Sequence, residues 1–368
     1  MNESNPINSD GELRMQGYLG KIAAGPRMSK DLTEEEAEDA LSLILHGSIS
    51  PVRRGVFLIA ARMKLETIPE ILGFWRALDK TTVRHSLPFD RLLQVADPFD
   101  GFNRLPYFGF YTLPVISALG LPVYGHSSGP QPPKLGTTFE KILSDHYRIR
   151  NTSYEKRLEL LQKFRFGFLS TEHCNPALHS LDSLRMEIVK RPILATLEKM
   201  LMPVSVKTGG NFLASGYFHK GYEDAMMQVA KISSFDTTIV GNGSEGTTLF
   251  GVHKSARIWV ASGENDAEER KFDLQSLFDA ETADTIASTH KNFKNQAYDL
   301  AQLAKWGESA LADGTGPAAP LIACQSATLC HLFGLVDNAQ EGYNAAYEIL
   351  QQGNCLKSLT TYIKELKG

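Results

Sequence analysis

Apolar positions recur at helical spacing from residue 33 onward. Ala37, Leu41, Ile44 and Leu45 share one face, and Thr33 followed by Glu36 predicts a capping box that opens this helix before Gly47 ends it. Ser50-Pro51 predicts a second start, since proline is tolerated at the first helical position, with residues 52–62 as the body. Thr67 and Glu70 predict a third helix carrying Ile71, Leu72, Phe74, Trp75 and Leu78. Three short amphipathic helices with tight connections predict a helical lobe over residues 31–88. A polar, mobile N-terminus (1–30) is expected before it, and helices near 176–200 are expected to complete it.

Near residue 90 the period shortens. Leu92–Ala96, Leu121–Tyr124, Thr237–Val240 and Ala256–Val260 read as strands, and Thr247–Val252 reads as another. Helices are expected over 108–119 and 137–145, and the last 80 residues read as helical, punctuated by Gly314, Gly316 and Gly353. The fold class expected is α/β: a small all-helical N-terminal lobe and a large α/β lobe over 89–368, with a mainly parallel sheet and a helical C-terminal part.

Composition narrows the function classes. The 368 residues are 42% hydrophobic and 22% charged, enough for a large core, and the net charge is −4. A uniformly basic nucleic-acid binder is therefore disfavoured, whereas a local basic patch is allowed. No apolar run approaches the roughly 18 residues a membrane helix needs, and the N-terminus carries no apolar signal core, so a cytoplasmic protein without a membrane partner is expected. Cys174, Cys324, Cys330 and Cys355 form no CxxC pair and read as buried free thiols, with no metal role.

Charge is unevenly spread. Lys134–Lys207 holds 13 Lys/Arg against 8 Asp/Glu, whereas the first fifty residues hold 9 acids against 4 bases. This asymmetry fits either a cationic groove or helix faces of mixed charge. Tyr147, Tyr154, Phe164 and Phe166 interleave with those charges and could stack on bases or pack in the core. Gly241–Gly246 satisfies G-x-G-x-x-G after a strand, but the dinucleotide fingerprint requires a helix next, where a strand is expected. Lys207–Asn211, with paired glycines, reads as a β-turn.

The stretch Pro122–Leu143 (PVYGHSSGPQPPKLGTTFEKIL) resembles the phosphate-side loop of the anthranilate phosphoribosyltransferases. His126 and Lys134 keep the family's spacing, and Gly136 and Thr137 follow in place. Loop amides and a lysine facing a helix start suit an anion. Phe168–Pro203 is similar to the segment around the family's aromatic-substrate arginine, with Pro176, Leu184-Arg185 and Pro203 at matching spacings. The Leu45-His46-Gly47 turn and Phe57–Arg62 also fit. The resemblance covers most of residues 15–350 and implies the glycosyltransferase family 3 fold shared with nucleoside phosphorylases.

Three loops depart from the family pattern. Asp97-Pro98-Phe99-Asp100-Gly101 stands where the family has its Gly-Thr-Gly-Gly-Asp donor loop, so a proline removes an amide and a phenylalanine adds bulk where phosphoribosyl pyrophosphate would lie. Gly125-His126-Ser127-Ser128 replaces Lys-His-Gly-Asn, and Thr248 and Leu249 fall at the paired magnesium carboxylates. No cofactor is expected, and magnesium only if transferase activity is retained. The pattern resembles the divergent YbiB-like group, which implies a homodimer that binds nucleic acid rather than making tryptophan. Expected ligand or phosphate contacts are His126, Ser127, Ser128, Lys134, Gly136, Thr137 and Arg185, beside the altered donor loop of Asp97, Asp100 and Gly101. Arg104, Arg148, Arg150, Lys190 and Arg191 are candidate nucleic-acid contacts. Alternatives remain open: a solvated Lys134, a His126 bonded only to backbone, an Arg185 paired with Asp182, or a transferase acting on an altered substrate.

Overall fold

The computed structural model describes residues 9–25, 27–218, 221–263, 265–294 and 296–368. The helical lobe begins earlier than expected: residues 10–22, read from sequence as mobile, form helix α1 (Asp10–Ile22). Its order has clear causes. The Ser9 hydroxyl accepts from the Glu12 amide, and Met15 and Ile22 enter the core. The expected mobility of residues 1–8 falls outside the described residues.

Helices α2 (Glu34–Leu45), α3 (Pro51–Lys64) and α4 (Ile68–Lys80) follow, with the Thr33–Glu36 capping box closed in both directions. Glu70 caps Thr67 while also accepting the Leu32 amide and the Lys64 ammonium, tying α4 to the preceding turn. Residues 176–201 pack into the same core: Leu178, Leu181, Leu194, Leu197 and Met200 bury against Leu41, Phe57, Phe74 and Leu78.

The larger lobe is built on a seven-stranded sheet. Its strands are β2 (Leu92–Ala96), β3 (Val123–Ser127), β4 (Phe166–Ser170), β6 (Asn211–Gly216), β7 (Thr237–Gly241), β8 (Ala256–Ser262) and β9 (Glu268–Phe272), in the order β4-β3-β2-β6-β7-β8-β9. β1 (His85–Leu87) and β5 (Val204–Val206) make a separate parallel pair. The first five strands of the large sheet run parallel, and β8 and β9 are antiparallel. Helix α5 (Gly109–Ala118) and the C-terminal helices between residues 280 and 367 cover this sheet and contribute most of the larger core. No described helix is long and apolar enough to cross a membrane.

Strands β1, β4, β5, β6 and β9 add to those expected, and two of the expected strands differ. β3 starts at Val123 because Pro122 has no amide to donate, although its carbonyl accepts from Leu93. Thr247–Val252 is loop rather than strand. Glu245 and Gly246 turn the chain at φ +52° and +90°, and the Thr248 amide is drawn to the Asp97 carboxylate instead of a neighbouring strand. No helix follows Gly246, so the dinucleotide fingerprint lacks its second half. The four cysteines are free and buried.

Candidate functional site

The strand order locates the site. From β2 the chain moves to β3 and β4 on one side, then returns to β6 and β7 on the other. The topological switch therefore lies between β2 and β6, and ligands of open α/β sheets bind beyond the carboxyl ends of strands there. A cavity of about 290 Å³ opens at that point, walled by Pro98, Phe99 and Asp100 after β2, Tyr217 and Phe218 after β6, and Glu245 after β7. The helical lobe closes the other side with Arg62, Arg191 and Thr196.

Positive charge from both sides dominates the lining. Among the described residues, Arg62, Arg104, Lys134, Arg191 and Lys199 line the cavity with two carboxylates, Asp100 and Glu245. Asp100 Oδ1 lies 3.5 Å from the Lys134 ammonium, and Asp100 Oδ2 accepts from Arg191 Nε at 2.9 Å and from its Nη2. Glu245 Oε2 accepts the backbone amides of Arg104 and Leu105 at 2.9 and 3.2 Å, and its Oε1 stands 3.9 Å from Lys134. Lys199 donates to the Gly216 carbonyl at 2.6 Å, and burial pushes its pKa down to about 8. Burial also lowers Lys134, against the pull of Asp100 and Glu245 that favours its charge.

Behind this lining Asp97 is buried. Its carboxylate accepts from the Tyr107 hydroxyl at 2.7 Å and the Thr248 amide at 2.8 Å, and desolvation lifts its pKa to about 6. The Thr248 hydroxyl accepts from Gln325 at 2.8 Å, and Leu249 packs against the larger core.

The phosphate-side loop is arranged differently from the expectation that loop amides would cradle an anion. Residues 99–102 are stitched to residues 131–137. The Gly136 amide donates to the Asp100 carbonyl at 2.8 Å, and Phe102 and Thr137 exchange two backbone bonds at 2.9 and 3.1 Å. Gly101, at φ +76°, and Gly136 lie backbone to backbone, so a Cβ on Gly101 would come 2.4 Å from the Gly136 carbonyl carbon. The amides of Gly136 and Thr137 are thus already bonded.

His126, Ser127 and Ser128 are also turned inward. The Ser127 hydroxyl accepts from the Glu140 amide and the Ser128 carbonyl accepts from Thr138, so both serines hold the loop. His126 is 1% exposed, and neither ring nitrogen has a hydrogen-bond partner among the described residues. Phe99 covers it edge-on at 5.2 Å and separates it from the cavity it also lines, and burial pushes the imidazole down to about 3.

Arg185 belongs to neither sequence alternative. It is 2% exposed and forms a two-point ion pair with Glu198 at 2.7 and 2.9 Å, rather than a pair with Asp182 or an open ligand contact. Arg148, Arg150 and Lys190 are exposed and do not line the cavity. Tyr154 and Phe166 are buried, and Tyr147 and Phe164 are half-buried against the core.

Of the sequence candidates, Lys134, Asp100, Arg104 and Arg191 meet at the cavity. Arg62, Lys199, Glu245 and the aromatic pair Tyr217 and Tyr222 were missed. Tyr217 had a usable signal, since it follows the carboxyl end of β6, which flanks the switch point, and Glu245 follows the next parallel strand, β7.

A helical bundle packed on a mainly parallel sheet, with a cavity between the two lobes, defines the architecture. The description "Glycosyl transferase family, helical bundle domain" matches residues 16–82. An uncharacterized protein of Aquifex aeolicus is 29% identical over 59% of this chain and 64% of its own length. The anthranilate phosphoribosyltransferase of Methylocella silvestris is 27% identical over 63% of each chain. Both matches span less than two thirds of those relatives. The crystal structure of anthranilate phosphoribosyltransferase (TrpD) from Thermus thermophilus superposes with a TM-score of 0.72 at 19% identity, covering 97% of this chain and 99% of that one. The chain thus has the fold of the anthranilate phosphoribosyltransferases and is similar to them in sequence, with the helical-bundle domain of the glycosyl transferase family at residues 16–82.

Proposed function

We propose that this protein is a non-biosynthetic, YbiB-like relative of the anthranilate phosphoribosyltransferases, with a degenerate donor site, that binds nucleic acid or a nucleotide-like polyanion through its phosphates. One observation carries the reading: among the described residues, five cationic side chains and two carboxylates line a cleft whose donor loop is closed by Phe99 and by the Gly101–Gly136 contact. The cationic lining suits phosphates. Tyr222, half-buried in the same lining, suits the flat face of a base, a combination that favours single strands without sequence preference. The protein acts as a homodimer in this reading, supported by exposed Leu13, Val52, Val56 and Met186 on the neighbouring helices α1, α3 and Asp182–Ile188.

The test is a titration of labelled single-stranded DNA and RNA at several salt concentrations. Displacing counterions with three to five phosphate contacts weakens single-strand binding roughly 20- to 100-fold between about 50 and 200 mM salt. Absence of binding at low salt rejects the reading. The similarity to the Methylocella enzyme supports a second one, a transferase acting on an altered substrate. Calorimetry with phosphoribosyl pyrophosphate separates the two, because magnesium-dependent heat belongs to the transferase alone.

A further inference from the structure

The family's donor chemistry implies magnesium, and the residues of this cleft do not fit it. Magnesium needs near-octahedral oxygen ligands at roughly 2.0–2.1 Å and takes one or two carboxylates as anchors. Thr248 and Leu249, at the family's metal positions, offer a buried hydroxyl already bonded to Gln325 and an apolar side chain. Asp97 is occupied by Tyr107 and Thr248 behind the lining. The carboxylates that do face the cavity, Asp100 and Glu245, have a cation between them: Lys134 lies 3.5 Å from one and 3.9 Å from the other. Their remaining oxygens are taken by Arg191 and by the Arg104 and Leu105 amides. No group of three or more metal-ligating side chains is present among the described residues.

Lys134 is also held from behind. Its carbonyl accepts from the Asn103 side chain at 2.9 Å, the neighbouring Leu135 amide donates to Gln131 at 3.0 Å, and its ammonium sits 5.1 Å above the Phe102 ring. A divalent cation entering here would meet a tethered positive charge and would have to break its two ion pairs. A phosphate faces the reverse situation. An ammonium has three donors, Asp100 and Glu245 engage at most two in this arrangement, and Arg62, Arg104 and Lys199 add further positive charge around the same cavity.

We propose that Lys134, anchored by Asp100 and Glu245, takes the place of a divalent cation and makes this cleft a metal-independent site for a phosphate-bearing anion. This rests on the polyanion reading of the same cleft and specifies how it works: the lysine is a fixed charge, the two carboxylates are its anchors, and the arginines complete the anion's shell.

The experiment measures inorganic pyrophosphate binding by calorimetry, with EDTA and with excess magnesium, for the wild-type protein and for Lys134→Met and Lys134→Arg. Wild-type affinity in EDTA is expected to equal or exceed that in magnesium. Lys134→Met is expected to lose about tenfold in EDTA, the size of one charge-assisted hydrogen bond, whereas Lys134→Arg keeps most of the affinity. Thermal melts confirm that each variant is folded, and Lys134→Arg carries the test if Lys134→Met is not. Tighter wild-type binding in magnesium overturns the proposal, as does undiminished EDTA affinity in folded Lys134→Met, or an Lys134→Arg variant that requires magnesium to bind. Labelled DNA and RNA are titrated in parallel. Nucleic acid bound without pyrophosphate sinks this proposal and leaves the broader reading. Metal-independent pyrophosphate binding without nucleic acid does the opposite, and loss of both removes the two together.

Discussion

Arg185 and Arg191 lie six residues apart in the chain, and each contacts a carboxylate. Their surroundings differ. Arg185 and Glu198 have side chains only 2% and 1% exposed, so each satisfies the other inside the core. Arg191 is 28% exposed and meets Asp100 at the edge of a cavity whose described lining holds more cations than carboxylates. The same guanidinium–carboxylate chemistry is a core fastening in one place and a ligand-facing charge in the other. Access to water decides which, because a buried charge cannot leave its partner without an uncompensated desolvation penalty, whereas a cleft arginine can exchange a carboxylate for a phosphate.

The largest effect expected from this contrast concerns stability. Arg185→Leu leaves Glu198 buried and unpaired and is expected to cost about 3–5 kcal/mol in chemical denaturation, with Arg185→Leu/Glu198→Leu recovering much of the loss. Arg191→Ala leaves Asp100 beside Lys134 and is expected to cost less stability than Arg185→Leu while weakening nucleic-acid binding several-fold. Equal destabilisation by Arg185→Leu and Arg191→Ala would break the comparison.

A smaller effect separates two titrating groups behind the cleft. His126, with a folded pKa of about 3, is destabilising to protonate, so its contribution is present above the unfolded histidine range and is lost as pH falls below about 6.5. Asp97, held at about 6, behaves oppositely. Its protonated form is favoured in the fold, so it adds stability as pH falls from about 6 toward the unfolded carboxylate range. Each is on the order of 3 kcal/mol over about two pH units, and they oppose one another. His126→Gln is expected to flatten the loss of stability between about pH 6.5 and 4.5, and Asp97→Asn to steepen it. Denaturation midpoints across that range check both, and identical curves for the three proteins would refute the assignment.

Local signals in the sequence carried the fold further than the site. Capping boxes at Thr33 and Thr67, the proline start at Pro51 and the β-branched run at Thr237–Val240 each act within a few residues, and each element forms there. The cleft depends on partners far apart in the chain. Lys134, Asp100, Arg104 and Arg191 were legible as charges near loops, but nothing local to Gly136 reveals that its amide is taken by Asp100. Arg185 was open to misreading because the helical rule pairs it with Asp182, whereas its partner Glu198 arrives 13 residues later, after the chain has reversed. Glu245 was hidden inside a glycine pattern that suggested a nucleotide motif, although its left-handed turn instead presents a carboxylate to the lysine.

Arg148 and Arg150 provide the smallest effect and a third environment. Both are exposed in a loop whose Thr152 hydroxyl donates to the Leu366 carbonyl, which ties that loop to the C-terminal helix, and neither lines the cavity. A fully hydrated guanidinium away from the ligand acts only through a screened field that decays over a Debye length of about 8 Å at physiological salt. Arg148→Ala/Arg150→Ala is therefore expected to leave pyrophosphate affinity within about twofold and to reduce nucleic-acid affinity only at low salt, through its long-range term. A tenfold loss of pyrophosphate binding in this variant would mean that the anion sits outside the cleft. The contrast between Arg185 and Arg191 would then describe packing alone.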